Sequence, residues 1–407
     1  MLRPPSSADA NGCVSVDIGV AEDGAVAFIT MAGAEHAEPW PRIDLAGRQV
    51  WPGLVELHAH IDKSGTGERS PNPDGTLDGA RLASKRDRGR GWSRNELWGR
   101  MNEALRSAWR NGTVALRSHI DSQAERVEPA WSLCRELVDA WSGRIELQAV
   151  ATLGASKLMG PYGDELADLA ARNGACLGPV IYSSPTLDAE IIRALDLAGA
   201  RGLDLDFHVD ETDDPNARGA RRIAELVLEG GFKGRVVCGH VCSLALQSDD
   251  EAAQTIALIR QAGIGVVALP SANLYLQGRA PGRTPTWRGV TRVRELRAAG
   301  AVVAIGGDNC RDAFYPFGDH DLVDVLRDAV RIAHLDHPFA GWVDAISTIP
   351  ATLMGLPARG RIAAGSPADL LVFEQTTVTG VLASLGRGRI VVRAGVAIDP
   401  TARLFAR

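Results

Sequence analysis

Trp51-Pro-Gly-Leu-Val-Glu-Leu-His-Ala-His60 is an apolar run that ends in two histidines two residues apart. Residues i and i+2 of a strand point to the same side, so His58 and His60 face one way at the strand's end. Neutral imidazole nitrogen is a common ligand for borderline divalent cations. The pair is therefore half of a metal site. Three more apolar runs end in a comparable residue: Leu-Asp-Leu-Asp-Phe-His208, Val-Val-Cys-Gly-His240 and Val-Val-Ala-Ile-Gly-Gly-Asp308. Four such endings point to one shared cation rather than to scattered surface histidines.

Outward from this run, apolar segments recur at 54–58, 113–119, 145–151, 176–181, 203–208, 235–240, 264–269 and 301–308. Amphipathic stretches lie between them, among them 95–110, 164–173, 217–228, 252–262 and 290–299. Eight strands alternating with helices predict an α/β protein, a (β/α)8 TIM barrel over 51–356. Continuous apolar runs also suit parallel strands buried on both faces. Residues 1–50 and 357–407 read differently, as short runs separated by Gly and Asp turns. The two chain ends are expected to meet in one small β-sandwich domain beside the barrel. No fixed 20–50-residue repeat suggests a solenoid.

The 407 residues, 45% of them hydrophobic, suffice for one large core. A net charge of -6 argues against nucleic acid as the partner. The arginines within Lys85-Arg-Asp-Arg-Gly-Arg-Gly-Trp92 read as a solvated loop. No stretch is long and apolar enough to span a membrane, and the N-terminus lacks a signal peptide's pattern. Six cysteines without a C-x-x-C pair fit a reducing, cytoplasmic setting. Cys238 and Cys242, either side of His240, read as buried thiols. His36, His320, His334 and His337 read as ordinary surface or core residues. The expected partner is a small molecule; a barrel of this size is also compatible with a homo-oligomer.

Active sites of such barrels sit at the C-terminal ends of the strands, where His58, His60, His208, His240 and Asp308 all fall. Three or four nitrogens and one carboxylate leave a position for water, the mark of a catalytic rather than structural site. A bound divalent ion lowers the pKa of that water to near neutral. Asp308 is also a candidate base toward it. Glu211, three residues past His208, is either a proton carrier reaching the same pocket or a surface residue of the acidic loop 210–214. Arg117, His119 and Asp121 alternate along strand two. They either contact substrate and ligands or form a buried structural Arg–Asp pair.

At these residues the chain resembles the amidohydrolase superfamily, and within it the cytosine deaminase group. The first-strand motif is Trp51 to Asp62. Leu116-Arg-Ser-His-Ile-Asp121, His208-Val-Asp-Glu211, Gly239-His240, Leu276-Gln-Gly-Arg279, Arg288-Gly-Val-Thr-Arg-Val293, Asp308, Phe314-Tyr-Pro-Phe-Gly318 and Gly365-Ser-Pro-Ala-Asp-Leu-Leu-Val372 resemble later family elements. The resemblance implies one divalent ion, zinc or iron, held by His58, His60, His208 and Asp308. His240 then orients the nucleophile or leaving group. Glu211 passes a proton from water to a ring nitrogen, metal-bound hydroxide attacks the amino-bearing ring carbon, and ammonia departs.

The chain departs from that group in three places. Cytosine deaminases carry a glutamine after strand three, where Gly154 stands here. They carry a second aspartate where Asn309 stands, and a tryptophan where Phe314 stands. Losing hydrogen-bonding partners should weaken recognition of cytosine and widen the pocket. The nearest named activity is cytosine deaminase, with isocytosine, a pterin or another aminopyrimidine as a rival substrate. His60-Ile-Asp-Lys-Ser64 is similar to isopropylammelide amidohydrolases, which act on triazine rings. Lys63 there either contacts a polar ring substituent, assists proton transfer or faces solvent. The alternative activity is cleavage of a cyclic amide or an N-alkylamino group.

Overall fold

The computed structural model describes residues 8–35, 40–124 and 127–399, so His36 lies outside the described residues. Strands near the start are β1 (Val16–Val20), β2 (Val26–Met31) and β3 (Val50–Pro52). Eight more follow: β4 (Leu54–Ala59), β5 (Thr113–Asp121), β6 (Glu146–Gly154), β7 (Cys176–Val180), β8 (Leu205–Val209), β9 (Val236–His240), β10 (Gly265–Ala268) and β11 (Val302–Ile305). They form one sheet in sequence order, all neighbours parallel. A parallel bridge between Ala59 and Asp308 closes it. Asp308 N–H donates to the His58 carbonyl at 2.8 Å, and His60 N–H donates to the Asp308 carbonyl at 3.2 Å. The expected (β/α)8 barrel is thus closed by the residues expected to bind metal.

Glu56 adds a second seam. Its carboxylate accepts from His58 N–H and from Gly307 N–H, both at 2.9 Å. Burial pushes this carboxyl up to about 7, against the pull of those two hydrogen bonds. The far end of the barrel is plugged by apolar side chains. Val55, Leu57, Val237, Val267 and Ala304 pack on Leu353 and Met354.

Helices alternate with the barrel strands: α1 (Leu77–Gly89), α2 (Arg94–Arg110), α3 (Val127–Trp141), α4 (Pro161–Arg172), α5 (Leu187–Gly199), α6 (Gly219–Gly230), α7 (Asp249–Gln261), α8 (Pro270–Leu276), α9 (Val293–Ala298), α10 (Leu322–Ala333) and α11 (Thr348–Leu353). Helix α1 corrects the reading of 85–92 as a loop for residues 85–89; residues 90–92 follow the helix as a loop. Thr76 caps α1 by accepting from Gly79 N–H, and Ala80 and Ala83 pack on Leu276 and Ala313. Arg88 is ion-paired, whereas Lys85 and Arg86 are exposed. Arg88 lies 2.5 Å from Asp121, and Asp87 accepts from Arg69 and Trp92.

The C-terminal stretch adds β12 (Leu370–Val372), helix α12 (Val378–Ala383), β13 (Ile390–Arg393) and β14 (Val396–Ala397). Strands β14, β13, β12 and β3 form an antiparallel sheet, so both chain ends share it. Strand β3 spans the expected junction at residues 50 and 51. The β1–β2 hairpin joins this unit where Val26 exchanges hydrogen bonds with Ser366 and Gly365 at 2.8 Å. Leu370, Val372, Ile390 and Val392 form its own apolar cluster. Among the described residues, no helix is long and apolar enough to cross a membrane.

Candidate active site

His58, His60, His208 and Asp308 meet at the C-terminal mouth of the barrel. His208 Nε2 lies 3.2 Å from Nε2 of both His58 and His60. Asp308 Oδ1 lies 3.3 Å from His60 Nε2 and 3.7 Å from His58 Nε2. All four side chains are buried. Two imidazole nitrogens at such a distance can share one proton, but three nitrogens and a carboxylate cannot all be satisfied that way. A tetrahedral shell with bonds of about 2.0–2.1 Å has ligand–ligand edges of roughly 3.4 Å. The donor set therefore fits a divalent cation. Burial, reinforced by neighbouring imidazoles, holds His58 and His208 well below the usual histidine range and so keeps their nitrogens unprotonated. Burial works against the Asp308 carboxylate, but its hydrogen bond to His60 and the nearby imidazoles outweigh burial and hold its pKa down.

Backbone geometry aims these groups. The register of β4 against β5 slips between Leu54 and Val55 and again between Glu56 and Ala59, the kind of irregularity that redirects side chains beside active sites. At β9, a Cβ on Gly239 would sit 3.0–3.2 Å from the His58 ring, so glycine there leaves room for the imidazole. Asp210, His240 and Asp308 adopt positive φ of 52°, 69° and 64°. Such strain in non-glycine residues is tolerated where the surrounding structure fixes it, typically at functional sites.

Asp210 explains how Glu211 reaches the pocket. Its left-handed backbone turns the chain sharply after β8, while its carboxylate accepts from Gly219 and Ala220 N–H, both at 2.9 Å, at the start of α6. Glu211 Oε1 then lies 3.6 Å from His240 Nδ1, with its side chain 13% exposed. Burial raises the Glu211 pKa above the usual carboxylate value, countered in part by His240 and Arg81. The Asn273 side-chain amide lies 3.0 Å from His240 Nδ1, and His240 Nε2 is buried without a hydrogen-bond partner. The His240 ring centroid is 5.2 Å from that of His208 and 5.5 Å from that of His58. The ring nitrogens of His58, His208 and His240 lie within 4.8 Å of one another, so His240 faces the same space.

A cavity of about 480 Å³ opens over this site, within the usual range for ligand pockets. Its walls include His208, Glu211, Tyr182, Arg81, Gln277 and Arg279. Several expected substrate contacts lie elsewhere. Arg117 is fully buried, with its guanidinium bound to Asp206 and Gln148 at 2.7 Å and to the Leu353 carbonyl at 3.3 Å. His119 is equally buried, 2.9 Å from Thr152 Oγ1 and packed under His58 at 4.1 Å between ring centroids. Strand β5 runs on to Asp121, so at about 3.3 Å per residue these two sit roughly 13 and 7 Å below its end. They support the ligands from beneath and do not reach the cavity. The Arg117 partner is Asp206, not Asp121. Asn309 gives its Nδ2 to Asp312 at 2.6 Å. Gly154 stands at the end of β6 outside the cavity lining, where a Cβ would meet Tyr182 at 3.9 Å and nothing nearer. The Lys63 ammonium lies over the Phe314 ring, 5.2 Å from its centroid, and both line a narrow crevice beside the cavity.

Sequence reasoning missed Asp206, Asn273, Arg81, Gln277 and Glu56. The two-residue spacing that pairs His58 with His60 also places Asp206 beside His208, and Glu56 beside His58. Arg81 carried no signal, because α1 leaves no recognisable helical pattern in the sequence.

The amidohydrolase family matches residues 144–401. Pterin deaminase of Rhizobium rhizogenes is 42% identical over 396 residues, 97% of this chain and 90% of that protein. N-isopropylammelide isopropyl amidohydrolase of Pseudomonas sp. is 25% identical over 364 residues, 87% of this chain and 86% of that protein. The crystal structure of 5-methylcytosine deaminase from Klebsiella pneumoniae, liganded with phosphonocytosine, superposes with a TM-score of 0.84 at 26% identity, covering 96% of both chains.

Proposed function

The chain belongs to the amidohydrolase family, and from that premise we propose that it is a metal-dependent hydrolytic deaminase whose substrate is a pterin. The observation that carries this reading is the convergence of His58, His60, His208 and Asp308 at the barrel mouth, with His208 and Glu211 lining a 480 Å³ cavity. His58, His60, His208 and Asp308 would hold a divalent ion, zinc or iron, which would supply a water of near-neutral pKa.

The chain's own residues do the rest. Glu211 takes a proton from the attacking water and delivers it to a ring nitrogen, which makes the amino-bearing carbon electrophilic. A carbon–oxygen bond forms, the carbon–nitrogen bond to the amino group breaks, and ammonia leaves with the second water proton. His240, positioned by Asn273, presents Nε2 to the reacting carbon's substituents.

Pterin is favoured within the class by the 42% identity to a pterin deaminase and by the cavity's breadth. With Gly154 bare and Asn309 turned onto Asp312, two groups that hold a single pyrimidine ring in cytosine deaminases are lost. Free buried thiols at Cys134, Cys176, Cys238, Cys242 and Cys310 support a cytoplasmic setting. The test is ammonia release by metal-loaded protein from pterin, cytosine, isocytosine and an N-alkylated aminotriazine. Pterin is expected to give the highest kcat/KM. Silence across the panel refutes the deaminase reading, and an alkylamine product without ammonia replaces it with N-dealkylation.

A further inference from the structure

We propose that Gln277 reads the lactam edge of the substrate ring, the adjoining C=O and N–H of a 4-oxopterin, and so sets which heterocycles the enzyme accepts. The assignment rests on the deaminase reading above. Gln277 is 5% exposed and lines the same cavity as His208 and Glu211. Its Nε2 is buried and has no hydrogen-bond partner. An orphaned amide donor costs about 1–3 kcal/mol, which a ligand's carbonyl removes. A primary amide offers one donor and one acceptor side by side, the complement of a lactam.

The surroundings fix where this amide stands. Gln277 N–H donates to the Asn273 carbonyl at 2.9 Å, and the Asn273 amide lies 3.0 Å from His240. One turn of α8 thus sets both the ring reader and His240. Gly289, at φ +74°, closes over it: a Cβ there would fall 2.5 Å from the Gln277 Cβ and 2.6 Å from the Asn273 carbonyl oxygen. The other polar wall residues are engaged differently. Arg81 stacks on Tyr182 at 5.0 Å and Arg279 on Tyr275 at 4.4 Å. Among the described residues, no other cavity-lining side chain is an amide.

The test compares kcat/KM for pterin with that for 2-aminopteridine, which lacks the 4-oxo group. Wild-type protein is expected to prefer pterin strongly. Gln277→Leu should collapse that preference by about 100-fold, chiefly through KM for pterin, because the contact forms before the chemical step. Gln277→Glu keeps the shape but cannot donate to the carbonyl, and should collapse it as well if the Leu variant fails to fold. An unchanged preference in a folded variant with normal metal content overturns the Gln277 assignment and leaves the deaminase reading standing. Absence of ammonia from every ring with wild-type protein overturns both.

Discussion

Replacing Glu211 with glutamine should stop turnover while leaving the metal in place. The Glu211 carboxylate lies 3.6 Å from His240 Nδ1 and takes no part in the 3.2–3.7 Å contacts that link His208 and Asp308 each to His58 and His60. The amide has the same shape but cannot accept a proton from water and return it to the ring. General acid–base catalysis contributes about 10²–10⁴-fold, so the barrier should rise by roughly 3–5.5 kcal/mol. Folding should not suffer, because burial already disfavours the charged carboxylate, as its raised pKa records. The same shift places the acidic limb of the wild-type kcat/KM profile above pH 4.5, since the base form is lost as pH falls through the raised value. Initial rates of ammonia release across pH, metal content by elemental analysis and a melting curve would be measured together. Turnover within about threefold of wild type, with the acidic limb intact, would show that Glu211 carries no proton. Loss of metal would instead make it a ligand.

Three further outcomes follow from the same geometry. Chelation should lower the melting temperature, since a ligand at 100 times its Kd adds about 2.7 kcal/mol to the folded state; His60→Ala and Asp308→Asn should each lose most bound metal, and stoichiometric metal in either variant would contradict the ligand set. Arg117→Met leaves the Asp206 carboxylate buried without its cation, at a cost of about 3–5 kcal/mol by chemical denaturation. Arg117→Met with Asp206→Leu should recover most of it, and a single-variant loss under about 1 kcal/mol would refute the pairing. Burial lowers His320 to about 4 from 6.5, so between those values the unfolded chain binds a proton that the folded chain refuses. Stability should therefore fall as pH drops below 6.5, by about 2 kcal/mol at pH 5, and His320→Asn should lack that part of the slope. An equal slope in both proteins would exclude His320 as its source.

The barrel was readable because strands buried on both faces leave nearly unbroken apolar runs. Val236–His240 and Val302–Ile305 needed no periodicity to be found. Helix α1 was not readable, for a complementary reason. Its buried face is made of Gly79, Ala80, Ala83 and Ser84, which carry little hydrophobic signal, while its basic residues dominate composition. One of them, Arg88, is held by Asp121, which is distant in sequence. His320 illustrates the same limit. Its 2.9 Å contact with Ser64 joins loops far apart in the chain, and nothing beside it in the sequence marks it as half-buried.

Depth and reach divide the readable part of the site from the unreadable part. A metal ligand must end a barrel strand, so the strand pattern alone brings His58, His60, His208 and Asp308 to one level. Arg117 and His119 share a strand face with the mouth of the barrel, and spacing alone could not say that β5 continues past them. Much of the cavity wall beyond His208 is drawn from outside the strands: Arg81 from α1, Tyr182 after β7, and Gln277 at the end of α8. Each is placed by how a helix packs on the barrel rim, which no local pattern encodes. A bare Gly154 therefore says only that one reader of the ring is missing. Where its replacement stands depends on packing, and the buried amide of Gln277, one turn from the residue that holds His240, is the group that packing has left facing the substrate.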